Sequence, residues 1–162
     1  MKKILLATIL SSSIYAGGIF SVGHKNISVT AGTDSAYGNT YSVLGINAHY
    51  FVVDNLSVGL SFSSWLGSDP SINQLTVPIT FHIPIENLPF RPYIGGFYSR
   101  TMMGHDENYN YSNYDSYGGR AGVTMQTGTG TYVSMGWVQE VTENGDDVSS
   151  RGYPEVSAGI SF

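Results

Sequence analysis

LGINAHYFVVDNLSVGLSF, residues 44–62, decides the fold. In its first half Leu44, Ile46, Ala48, Tyr50 and Val52 alternate with Gly45, Asn47, His49 and Phe51. In its second half Leu56, Val58, Leu60 and Phe62 alternate with Ser57, Gly59 and Ser61. A period of two is that of an extended strand with one apolar and one polar face. Val53-Asp54-Asn55 separates the halves and supplies turn chemistry. The stretch therefore predicts two antiparallel strands joined by a tight turn.

The same period repeats in both directions. Upstream, Ile27, Val29 and Ala31 alternate with Ser28, Thr30 and Gly32. Downstream, Leu75, Val77, Ile79, Phe81 and Ile83 form a fourth run. Residues 90–100 form a fifth, ambiguous in phase because Tyr93, Ile94, Phe97 and Tyr98 fall on both faces. Tyr117 to Met125, Val133 to Trp137, and Val156 to Phe162 complete the set. Eight strands of about ten residues each match the length that crosses a bilayer at a tilt. Pro84 and Pro92 suit strand ends, whereas Pro78 demands a bulge or an inward position with a missing donor.

The connections alternate. Residues 53–55, 86–89 and 127–130 read as tight turns, and residues 34–40, 67–73, 101–116 and 142–152 as longer loops. That asymmetry fits a membrane barrel better than a soluble sandwich with Greek-key crossovers. Composition agrees: 12% of residues are charged, 13% are aromatic with twelve Tyr, and Gly numbers twenty. After the first residues no stretch is apolar for about 18 positions, so no membrane-spanning helix is expected.

The N-terminus reads as an export signal. Lys2 and Lys3 precede the apolar run Ile4 to Leu10, then three serines and Ala16. Residues 1–16 are expected to be removed, although Ile14 at the −3 position is larger than usual, and 17–162 form the barrel domain. The alternative, a buried N-terminal helix, fits the positive start less well. The remaining chain holds five Lys and Arg against twelve Asp and Glu, a formal charge of −7. An acidic chain opposes nucleic-acid binding. With no cysteine, disulfides and thiolate metal sites are excluded. Apolar-out alternation makes a closed barrel the solution, because hydrocarbon leaves strand edges no other partner.

The terminal SAGISF ending in Phe162, FVVDNLSVGLSF from Phe51 to Phe62, and RPYIGGFYS from Arg91 to Ser99 resemble segments of the small outer-membrane β-barrels of OmpX/OmpA type. The resemblance implies an all-β, eight-stranded antiparallel up-and-down barrel in the cell outer membrane. It also implies contact with lipid, and recognition of the last strand, through Phe162, by the outer-membrane assembly machinery. A monomer without cofactor is expected.

Eight strands leave an interior just wide enough for side chains. The inward ionisable groups are read as Arg120, Glu140, Glu155, His49 and His82. Arg120 is expected to pair with Glu155 or Glu140 near the loop-side ends of their strands, because a buried guanidinium needs a carboxylate or water. This is a structural plug on one reading and a gate that opens by partner exchange on another. YNYSNYDSY, Tyr109 to Tyr117, is the outstanding loop feature. Tyr109, Tyr111, Tyr114 and Tyr117 offer amphipathic area for a host or cell-surface ligand. They otherwise belong to the upper aromatic girdle with Tyr41, Trp65 and Tyr153, over a lower girdle of Tyr50, Phe90, Tyr132 and Phe162.

His105, Asp106, Glu107 and Asp115 fit no metal-binding spacing, so no metal is expected. The His-x-Ser spacing of lipid A deacylases is absent, so a lipid-modifying enzyme is disfavoured. The expected role is structural or surface-interacting, in adhesion or envelope integrity. The alternative is a narrow channel or carrier for small or apolar solutes.

Overall fold

The computed structural model describes residues 18–36, 38–68, 70–85, 88–104, 112–144 and 147–162. Eight strands follow in chain order: β1 (Lys25–Ala36), β2 (Asn39–Val53), β3 (Leu56–Leu66), β4 (Ile72–His82), β5 (Phe90–Met103), β6 (Tyr114–Gln126), β7 (Thr131–Asn144) and β8 (Asp147–Ser161). Each pairs antiparallel with its sequence neighbour, and β8 returns to β1, closing the barrel. Closure is tied at the chain end, where Lys25 and Phe162 exchange backbone hydrogen bonds of 2.8 and 2.9 Å.

The apolar set faces outward. Ile46 is 62% exposed, Val29 60%, Met135 58% and Leu60 53%. Each aliphatic side chain of this kind gains about 1.5–3 kcal/mol on leaving water. A continuous exterior belt of them is built for hydrocarbon. The phase of β5 is also resolved: Ile94 and Tyr98 face out, while Tyr93 is buried and Phe97 lines the lumen.

The turn end is tight. Asn55 takes a left-handed backbone (φ 66°), which asparagine tolerates, and lets Val53 pair with Leu56 across a two-residue turn. Beneath the barrel, the segment after Gly18 folds against the floor. The Asn55 amide donates to the Phe20 carbonyl (2.7 Å), and the Val22 amide to Asp54 Oδ1 (2.8 Å). Ile19 and Phe20 are thereby buried with Phe51 and Tyr132.

Pro78 stands inward and fully buried on β4. His82 donates its amide towards the β3 side, so the even-numbered backbone groups of β4 face β3. Pro78 has no hydrogen to offer there. The β3–β4 register accordingly stops at Val58↔Ile79 and resumes at Ser61↔Thr76.

The loop end corrects the sequence reading. Strands run deep into three of the four expected loops: Ala36 pairs with Asn39, Thr101 with Tyr114 and Asn144 with Asp147. Towards the loop end the outward positions turn polar, as from Ile27 and Val29 to Thr33 and Ser35 on β1, so the period-two signal fades while the backbone ladder continues. Arg120 consequently lies at mid-height, opposite Gly95 and Val138, rather than near a strand end. The girdle expectation is corrected too. Tyr41, Trp65 and Tyr132 are buried inside, and Tyr153 lines the lumen. Each shares the parity of its strand's inward set. The outward aromatics include Tyr50, Trp137, Tyr98 and Tyr117.

Candidate functional site

The lumen is filled in layers. The floor is aromatic: the His82 ring lies 4.6 Å from Phe20, 5.7 Å from Phe51 and 5.8 Å from Tyr93, centroid to centroid. Arg91 stacks its guanidinium 4.4 Å from the Phe20 ring centre and donates to Asn55 Oδ1 at 2.5 Å. His49 lies over Gly59, where an added Cβ would fall 2.6 Å from its Nδ1. Glycine is required there for close approach. The two histidines therefore belong to this packed floor, apart from the carboxylates.

The middle layer is ionic. Arg120 Nη2 donates to Glu155 Oε1 at 2.5 Å, and the Tyr93 hydroxyl donates to the same oxygen at 3.0 Å. Tyr93 reaches Glu155 by lying across the Gly122↔Gly136 pair of β6 and β7. A Cβ at Gly122 would sit 2.6 Å from the Tyr93 hydroxyl. β5, β6 and β8 are thus bridged across the lumen.

The upper layer gathers on Glu140, whose side chain is completely buried. Arg151 grips Glu140 Oε2 through Nε (2.9 Å) and Nη2 (2.7 Å). Gln74 Nε2 (3.0 Å) and the Ser116 hydroxyl (2.5 Å) donate to Oε1. Four donors satisfy the carboxylate, as its burial demands. Arg151 also approaches Asp34 Oδ2 at 3.5 Å and lies 4.7 Å from the centre of the Trp65 ring.

Of the groups expected in one network, Arg120 and Glu155 meet, and Glu140 belongs to a second one. Sequence reasoning missed Arg151, because residues 142–152 read as a loop. Its odd-numbered parity with Tyr153 and Glu155 was the available signal once the strand is extended.

Tyr109, Tyr111, His105, Asp106 and Glu107 lie outside the described residues. Tyr114 sits at the start of β6, and Tyr117 projects outward, its hydroxyl donating to Glu143 Oε1 at 2.6 Å. Asp115 also faces out, paired with Arg100 at 2.8 Å. Among the described residues no cluster of metal-ligand groups is found. His24 Nδ1 lies 3.3 Å from the Ser161 hydroxyl, with no ion pair to the ring among the described residues.

No family model and no curated protein matches the chain. Solved structures do. The N-terminal β-barrel domain of Pseudomonas aeruginosa OprF aligns with a TM-score of 0.71 at 12% identity, over 87% of this chain and 98% of that one. Neisserial surface protein A aligns at 0.58 and 14%, covering 85% and 94%. Ail, the attachment invasion locus protein of Yersinia pestis, aligns at 0.52 and 14%, covering 87% and 99%. The shared feature is the closed barrel: this chain has the fold of the small outer-membrane β-barrels.

Proposed function

We propose that the protein is an integral outer-membrane barrel that anchors a surface-interaction platform and is shut to free diffusion along its axis. The observation that carries this reading is the filled lumen under an apolar exterior. Three stacked layers, centred on His82, Glu155 and Glu140, cross the interior. An axial pore would need all three displaced. In planar bilayers the purified protein should show no stable open-channel steps, and Arg120→Ala should leave that unchanged. Steps appearing on Arg120→Ala would instead identify the middle layer as a gate. Heat-modifiable gel migration of the membrane-extracted protein checks the barrel state.

In this reading residues 1–16 are removed on export and Phe162 marks the last strand for assembly. The tyrosine-rich segment, Tyr109 to Tyr117, is the contact surface. One protein of the same fold carries attachment in its name. Replacing Tyr109, Tyr111, Tyr114 and Tyr117 by Ser should abolish adherence to host cells while outer-membrane levels hold. Adherence equal to that of the parent would remove the role. A second reading, a carrier of small apolar solutes, is favoured by one observation: a luminal cavity of about 90 Å³ lies beside Arg120 and Glu155.

A further inference from the structure

The turn end of the lumen is covered by a piece of chain that belongs to no strand. Residues 18–24 precede β1 and fold against the floor. Phe20 is buried there, its ring 6.0 Å from that of Phe51 and 4.6 Å from that of His82, with the Arg91 guanidinium on its face. Ile19 is buried in the same cluster, with Phe51 and Tyr132. Phe51, His82 and Tyr132 also line a lower cavity of about 40 Å³, on the side away from Phe20. One layer of rings thus separates the cavity from the Phe20 stopper.

The attachment is light. Two hydrogen bonds tie the segment to the β2–β3 turn, one from the Asn55 amide to the Phe20 carbonyl and one from the Val22 amide to Asp54 Oδ1. At Gly23 the chain joins the ladder, its amide donating to the Phe51 carbonyl at 2.8 Å. Gly23 has φ 86°, a backbone that glycine alone adopts freely, so the segment leaves β1 through a swivel. On its far side an open cleft separates Gly18 and Ile19 from the β6–β7 turn at residues 126–130. A released segment has room to swing.

Closing has a cost as well as a gain. The closed form takes Ile19 and Phe20 out of water, which favours it. It also keeps three polar atoms of the cavity wall dry. Asn26 Oδ1, Thr80 Oγ1 and His82 Nδ1 have no hydrogen-bond partner among the described residues, and all three side chains are more than nine-tenths buried. Each such atom gains free energy when water reaches it. Apolar burial and polar desolvation therefore pull the segment in opposite directions, as a two-state element requires.

We propose that residues 18–22 are a hinged strap, with Phe20 as its stopper, that opens and closes the turn-end mouth of the lumen and lets water reach the lower cavity past His82. Above that cavity Arg120 and Glu155 remain paired in either state. The strap thus goes beyond the barrel shut to free diffusion and leaves that reading standing.

The native His82 reports the strap. Its ring lies under Phe20, so diethyl pyrocarbonate reaches it only when the strap lifts. Site-by-site mass spectrometry of the detergent-folded protein should show slow but complete modification. Phe20→Ala should speed it about a hundredfold, as the loss of a buried ring moves the opening equilibrium. Asp54→Ala keeps the ring and removes only the Val22 acceptor, so about threefold to tenfold is expected. Asp54→Asn keeps an acceptor oxygen and should match the parent. Two single thiols, placed in a chain without cysteine, follow the opening inward. Thr80→Cys lines the lower cavity, and Ser99→Cys lines the cavity above Arg120. With Phe20→Ala added, methyl methanethiosulfonate should label the first faster and leave the second unchanged. Both thiols accelerating together would mean a barrel loosened as a whole, and the strap falls. It falls also if His82 stays inert in the parent, which makes Phe20 a fixed cap, or if Asp54→Ala changes nothing. A fast His82 beside an inert thiol at position 80 would overturn the passage into the cavity.

Discussion

Two ion pairs of nearly equal length sit on opposite sides of the barrel wall. Inside, Arg151 and Glu140 meet at 2.7 Å with side chains 25% and 0% exposed. Outside, Arg100 and Asp115 meet at 2.8 Å with side chains 49% and 44% exposed. Length does not distinguish them, but surroundings do. Glu140 is desolvated and held by Arg151, Gln74 and Ser116, so its charge depends on protein donors. Asp115 keeps water, which replaces any donor it loses. The inner pair, held through two guanidinium nitrogens, is therefore expensive to break and the outer one, held through one, cheap, although their shortest distances are nearly the same.

The sharpest way to break the comparison is Glu140→Ala. It strands the Gln74 amide and the Ser116 hydroxyl in the upper lumen and leaves the Arg151 guanidinium only its 3.5 Å contact with Asp34. A loss of about 3–5 kcal/mol is expected, measured by urea unfolding of the detergent-folded barrel. A loss no larger than that of an exterior substitution would show that water already screens this layer. Glu140→Gln is the next step down. It keeps one acceptor oxygen and gives up the charge, so about 1–3 kcal/mol should go. The triple change Glu140→Leu, Arg151→Met and Asp34→Asn removes the three charges together. It should recover part of the Glu140→Ala loss, because no guanidinium is left without its carboxylate, while Gln74 and Ser116 still lack their acceptor. If it does not, the charges are needed for the barrel to fold at all.

The inner network also marks where the sequence stops being legible. Eight strands, their order and the outward set could be read because lipid on one face and lumen on the other enforce a strict alternation. Arg120 and Glu155 were found because their strands alternate clearly on both sides. Arg151 was not. Val148, Ser149 and Ser150 before it carry no alternation, since water rather than hydrocarbon bathes that part of β8. The ladder there is held by backbone groups that every residue supplies. Trp65 and Tyr41 were assigned outward by residue type, against the parity of Val43, Gly45, Ser61 and Ser63, and the structure follows parity. The floor was invisible for another reason. Ile19 and Phe20 are buried through contacts with Phe51 and Tyr132, far along the chain, which no local period reports.

The smallest effect is expected on the outer face. Arg100→Ala removes an exposed pair beside Tyr98, on the part of β5 that pairs with Leu75 at the upper edge of the aliphatic belt. The unfolding midpoint should stay within error of the parent, and added salt should not separate the two proteins. Height on the wall, rather than the pair itself, decides the cost. Were Arg100 within the hydrocarbon, an unpaired Asp115 would face lipid, and the substitution would be among the most damaging instead of the least. Arg100→Ala therefore measures where the membrane ends on β5 and β6. A large loss would instead raise the membrane boundary above Arg100, past the height marked by Leu75 opposite it and by exposed Glu143 beside Tyr117.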